Sequence, residues 1–183
     1  DYGTTVTAPA EPTRTGYTFA GWSPAVPVIM PADNITLTAQ WNINQYTISF
    51  DSAGGSAVPV ITQDYGTTVT VPAEPTKTGY TFKGWSSPVP VTMPADNITL
   101  TAQWNINSYT LTIQYKMEDD SKAPDSYTET VAFNEDYSVA SPVIAGYTPD
   151  RATVTGTMPA DDITVTVTYA ANTDTAYKVE HYT

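Results

Sequence analysis

The sequence predicts a mainly β protein built as tandem small modules in an elongated array. Three observations predict it. Residues 1–44 return at 64–107 with only six changes, a tandem copy at a spacing of 63 residues, and a period above about 50 residues reads as a string of small domains. Apolar residues alternate with threonine at period two in the most regular stretches. Prolines at 72, 75, 88, 90 and 94 block any long helix between them, and no stretch keeps helical periodicity over the roughly 11 residues of an ordinary helix.

Taken in order, "YTISF" places Tyr46, Ile48 and Phe50 on one face and Thr47 and Ser49 on the other. "TTVTVP" and "GYTFKGW" follow, the second bracketed by Gly79 and Gly84, a pattern that fits a turn and a bulge. The thirteen-residue phrase "MPADNITLTAQWN" stands at Met30 to Asn42 and again at Met93 to Asn105. In it a proline stops the preceding segment and an Asp-Asn pair supplies turn geometry through bonding to its own backbone. The strand that follows points Ile98, Leu100, Ala102 and Trp104 one way. "YTLTIQY" repeats the alternation at 109–115, and "MPADDITVTVTYA" closes a diverged third unit with Ile163, Val165, Val167 and Tyr169 in the same parity. Short helical turns are expected at most near "PAEPT" and "DSKAPDS".

Parity assigns Tyr17, Phe19, Trp22 and Trp41 to the core of the first unit, and Tyr80, Phe82, Trp85 and Trp104 to that of the second. Tyr115, Tyr137, Tyr147 and Tyr169 serve the third. Units of about 60 residues bury only about 60% of their unfolded surface, so large rings are expected inside.

The net charge of -12 with only seven Lys and Arg excludes a phosphate-binding face, so neither nucleic acid nor an anionic membrane surface is an expected partner. No run approaches the roughly 18 apolar residues of a membrane span, so no membrane insertion is expected in this segment. There is no cysteine, which suits a cytosolic protein or a bacterial exported one. The chain starts at Asp1 and reads as a segment of something longer.

The ordered combination "YTISFDSAGGS", "GYTFKGWSS" and "MPADNITLTAQW" resembles the Listeria–Bacteroides repeat, also called the internalin B-repeat. Its marks are Gly54-Gly55, Gly79 to Phe82, Gly84-Trp85 and Ala102 to Trp104. "YTLTIQY", "VAFNEDYSV", "IAGYTPD" and "ITVTVTY" resemble a mucin-binding-protein (MucBP) repeat, and "AYKVEHYT" resembles the opening of another. The resemblance implies small β-grasp-like modules. It divides the chain into 1–45, a B-repeat-like module lacking its first strand, a complete one at 46–107, a MucBP-like module at 108–171, and a linker with an opening strand at 172–183. It also implies an extracellular, bacterial cell-surface setting, cell wall-attached or secreted, in adhesion or in spacing an adhesive domain from the wall. It carries over no ligand residue.

Chemistry-bearing clusters are sparse. His181 is the lone histidine, so His-based triads and Cys/His metal sites have no residues to build them, and no catalytic, cofactor-binding or metal-binding residue is expected. Glu118-Asp119-Asp120 and Asp161-Asp162 carry the oxygen ligands calcium prefers, but without the spacing of a calcium loop they read as solvated turns. Asn34 and Asn97 open Asn-Ile-Thr sequons, which read as turn chemistry in a bacterial chain. Lys116, near an expected sheet edge, is a candidate for a covalent Lys–Asn or Lys–Asp crosslink, and a solvated strand lysine is the plainer reading.

The expectation is therefore a non-enzymatic repeat segment acting as stalk or spacer in adhesion. The alternatives are direct binding of host glycans of mucin type or host proteins, and service as an accessory module of a secreted enzyme. The C-terminal strand raises a further expectation of head-to-tail self-association.

Overall fold

The computed structural model describes residues 1–173, so His181 and the "AYKVEHYT" strand, with the self-association expected of it, lie outside the described residues. All regular structure among the described residues is β, with no helix and hence no turn of helix at "PAEPT" or "DSKAPDS". Twelve strands form among the described residues. In the first half they are β1 (Tyr17–Ser23), β2 (Thr38–Ile43), β3 (Gln45–Asp51), β4 (Ile61–Asp64), β5 (Tyr80–Trp85) and β6 (Ile98–Ile106). β7 (Ser108–Met117), β8 (Tyr127–Ala132), β9 (Asp136–Ala140), β10 (Tyr147–Pro149), β11 (Thr153–Thr157) and β12 (Ile163–Ala171) make up the second. "TTVTVP" holds only an isolated bridge from Thr68 to Thr92, because Pro72 and its neighbours leave too few donors for a ladder.

The chain divides into two compact units, each described by itself. One comprises Asp1–Pro75 and Phe82–Gln103; the other comprises Thr76–Thr81 and the chain from Trp104 onward.

A four-stranded sheet ordered β4-β3-β6-β5 is built around a parallel pair, Ile48 opposite Ile98 through Asp51 opposite Thr101. First and last strands lying parallel at the centre, flanked by antiparallel partners, is the strand order of a β-grasp. The irregular proline-rich segment runs where that fold usually places its helix. In the second unit β10-β12-β7-β8 has the same plan, with Ile163 opposite Leu111 at the parallel centre, and a separate ribbon of β9 and β11. β7 is thus an interior strand, but β8 pairs it only as far as Ile113, so Lys116, opposite Thr168 of β12, lies beyond the end of that pairing, next to an unpaired side as expected of it.

The first copy is reduced to a two-stranded sheet, β1 with β2. Its ladder shifts register between Phe19 and Gly21, so the bulge falls where the Gly-Trp pair predicts it. The closing phrase is identical in both copies, yet β6 begins at Ile98 and β2 only at Thr38, the counterpart of Thr101. The three residues that lose strand structure are counterparts of those that β3 pairs in the second copy. A neighbour decides whether this sequence is a strand.

The cores are more aliphatic than parity suggests. Ile48, Val69, Met93 and Leu100 are buried in one cluster, and Leu111, Ile113, Met117, Val131, Val154, Met158, Val167 and Tyr169 in the other. None of the four tryptophans is fully buried. Tyr17, Phe19, Tyr80, Phe82, Tyr115, Tyr137 and Tyr147 are also half-buried, and of the rings assigned to the core Tyr169 alone is sealed. A single sheet covered by loops is too thin to enclose an indole. Instead the rings stack on one another across its surface, Phe50 with Trp85 at 4.9 Å and Phe82 with Trp85 at 5.3 Å between centroids, each pair contributing on the order of 0.5–1.5 kcal/mol.

Candidate functional site

Two features that recur among the described residues are the first candidates for a repeated site: the MPAD phrase and a turn built on Gly-Tyr-Thr.

In the phrase, methionine is the anchor. The Met93 amide donates to the Thr67 carbonyl (2.9 Å) while its own carbonyl accepts from Gly66 (2.9 Å). Met158 makes the same reciprocal pair with Glu135 and Asn134, both at 2.8 Å, and Met30 with Thr4 (2.8 Å) and Gly3 (3.0 Å). Two side chains then reach the opening strand. The Asn97 Oδ1 accepts from the Thr47 amide at 2.8 Å, and the Asp162 Oδ1 from the Thr110 amide at 2.6 Å. This corrects the expectation that the Asn turns on its own backbone. The signal was in the sequence: an Asn-to-Asp exchange keeps an acceptor oxygen and loses the donor, so the function conserved between the copies is acceptance. The MPAD phrase is therefore a closure, pinned to one loop by its methionine and to the first strand by Asn97 or Asp162.

The Gly-Tyr-Thr turn appears three times. Gly16, Gly79 and Gly146 have φ of +78°, +77° and +81°, a region L side chains rarely occupy. After each, an asparagine returns: the amides of Asn44, Asn107 and Asn172 donate to the carbonyls of Gly16 (2.9 Å), Gly79 (2.9 Å) and Gly146 (2.8 Å). Hydroxyls of Thr18, Thr81 and Thr148 donate to the Oδ1 of the same asparagines at 2.6, 2.6 and 2.7 Å. On the first two glycines lies a ring. Tyr65 covers Gly16 and meets Tyr17 edge-on at 6.1 Å, and Phe133 covers Gly79 and meets Tyr80 edge-on at 5.8 Å. The amides of Tyr65 and Phe133 donate to the carbonyls of Asn44 (2.9 Å) and Asn107 (2.8 Å).

The remaining candidates are structural. Asp119 accepts from the Tyr147 hydroxyl at 2.6 Å and from the Ser121 amide at 3.1 Å, and these bonds, the tyrosine's first, hold its carboxyl below the usual range. Asp161 accepts from the amide of Asp162 at 2.9 Å. No group of three or more His, Cys, Asp or Glu suited to a metal occurs among the described residues. Asn34 is exposed, and Asn97 is committed to the closure. One surface has the character of a binding groove: Tyr17, Phe19 and Trp41 line it together with Arg14, whose guanidinium sits 3.8 Å above the Tyr17 ring.

Mixed sheets with a parallel centre, closed by one repeated phrase, define a tandem β-repeat protein. The model of the Listeria-Bacteroides repeat domain matches residues 1–40 and 46–103, and the chain belongs to that family. Residues 135–173 match the Muc B2-like domain. Among relatives, a protein of Evansella cellulosilytica is 33% identical over 156 residues, covering 76% of this chain and 23% of that one. Internalin H of Listeria monocytogenes is 40% identical over 117 residues, covering 54% of this chain and 21% of its own. The chain thus spans less than a quarter of the curated relatives it matches, at 23%, 15% and 21%. Among solved structures, the type 2 repeat of the mucus binding protein MUB from Lactobacillus reuteri is 19% identical and aligns over 71% of this chain and 100% of that one, with a TM-score of 0.32. No helix among the described residues is long and apolar enough to cross a membrane.

Proposed function

We propose that the chain is a non-catalytic repeat segment of a bacterial cell-surface protein, exposed outside the cell and acting as stalk or spacer in adhesion. In this reading its modules are 1–45, 46–107, 108–171 and the start of another at 172–183. The observation that supports it most is that the closing phrase and the Gly-Tyr-Thr turn engage their polar groups in closing modules and in turns between successive strands. A module that folds locally adds reach with copy number. The test combines a glycan array and a mucin pull-down on the full chain with small-angle scattering. Absence of binding together with a rod-like profile supports the spacer. Saturable binding to one glycan class would replace it.

A second reading has its own observation. The groove of Tyr17, Phe19 and Trp41 offers ring faces beside the Arg14 cation, a combination suited to stacking a sugar ring and donating to its substituents. It would make the chain a weak glycan binder whose duplication raises avidity. Trp41→Ala then abolishes whatever glycan signal the array shows, and an unchanged signal removes the groove from consideration.

A further inference from the structure

The two covered glycines and the third have the same turn, the same returning asparagine and the same threonine bond, and differ in one respect. Gly16 and Gly79 are buried, each under an aromatic ring, whereas Gly146 is exposed and nothing among the described residues comes within 4 Å of where its Cβ would stand. The backbone is already set for a ring. Its φ of +81° and the 2.8 Å bond from Asn172 match the occupied pair, and Tyr147 follows it as Tyr17 and Tyr80, which receive their rings edge-on, follow theirs. Tyr147 is further fixed by its hydroxyl bond to Asp119, so the receiving face does not wait for the ligand to be organised.

We propose that Gly146, Tyr147, Thr148 and Asn172 form a docking socket for an aromatic side chain, and that its occupant is a Tyr or Phe of a repeat module joined through Asn172. The two occupied examples define that occupant. In both, the ring belongs to the module that continues from the asparagine, and its amide donates to that asparagine's carbonyl. The ring comes from the loop after the second strand of that module: Tyr65 directly follows β4 and Phe133 directly follows β8. It lies 21 residues after Asn44 in one case and 26 after Asn107 in the other. This inference concerns the linkage of repeats and rests on the joint geometry alone; it holds whether the segment is a spacer or a glycan binder.

Solution NMR of the full chain tests it, with the α-protons of Gly16 and Gly79 as internal standards for a glycine beneath a ring. Residues 108–171 are grafted after Asn172, and in a parallel sample residues 45–107, so that one graft supplies the ring of Phe133 and the other that of Tyr65. Dispersed methyl signals report that each graft is folded. The expected result is an upfield move of the Gly146 α-protons to the region of the two standards in both samples. Replacing the grafted ring, Phe133→Ala or Tyr65→Ala in the added copy only, returns Gly146 to its ungrafted position while Gly16 and Gly79 stay. A folded graft that leaves Gly146 in place overturns the proposal. So does a ring-shifted Gly146 in the ungrafted chain, whether it is released by Tyr177→Ala with Tyr182→Ala, which would make the chain's own tail the occupant, or by dilution and Tyr2→Ala, which would make it a second copy.

Discussion

Gly79 and Gly146 share a backbone conformation and differ in their neighbours, which makes them a matched pair for measurement. Alanine at either pays the left-handed penalty of about 1–2 kcal/mol. At Gly79 the new methyl would also fall inside the Phe133 ring, adding the roughly 1–3 kcal/mol typical of overpacking. Urea denaturation of G79A and G146A should therefore show the larger loss for G79A. Equal losses would mean that the ring moves aside freely. Asp119 gives a pH prediction at the same scale. Its folded-state carboxyl titrates below the ordinary range, so the stability it contributes is present above the usual aspartate pKa and is lost as pH falls through the lowered folded value. Being exposed, it should contribute a small acid-side decline in Tm, and Asp119→Asn should flatten that decline without altering the neutral-pH fold.

At the scale of the element, the closing phrase shows what a sequence can and cannot disclose. Its parity, proline stop and strand direction are all legible, because period two and missing donors are local properties. That Asn97 accepts is legible too, from its exchange for Asp162, but the donor is not, since Thr47 is fifty residues away. Nor is the fate of the copies: Met93 is 1% exposed and Met30 40%, from the same words. Burial belongs to the neighbours, here β3, and parity sets the tryptophans too deep for the same reason, because alternation assigns a face without saying how deep the cover is. Two predictions follow from these contacts. Met93→Ala should cost about 2–4 kcal/mol and Met30→Ala under about 1 kcal/mol in denaturant midpoints converted to free energy. Asn97→Ala should cost about 1–3 kcal/mol by leaving the Thr47 amide without its acceptor, while Asn97→Asp should retain most of that bond, as Asp162 does.

At the scale of the whole molecule, the repeats are alike in sequence but unequal in structure. The first copy has two strands against the second copy's four, and Val28, Ile29, Met30 and Ile35 stand exposed in it. Amide hydrogen exchange should reflect this, with residues 17–43 exchanging through smaller openings than residues 45–106. Uniform protection across both copies would mean that the shortened sheet is as stable as the complete one.

The joint glycines carry a consequence for how such chains can change. Gly79 lies in a stretch matched by one family model, and Phe133, which covers it, lies just ahead of the stretch matched by another. The coupling nonetheless uses the parts found at Gly16 and Tyr65. Both joints use the same parts, a ring in the loop after one strand pair and a glycine and an asparagine ahead of it. We expect an exchange of repeats that keeps this glycine, asparagine and ring to need no compensating change in either core.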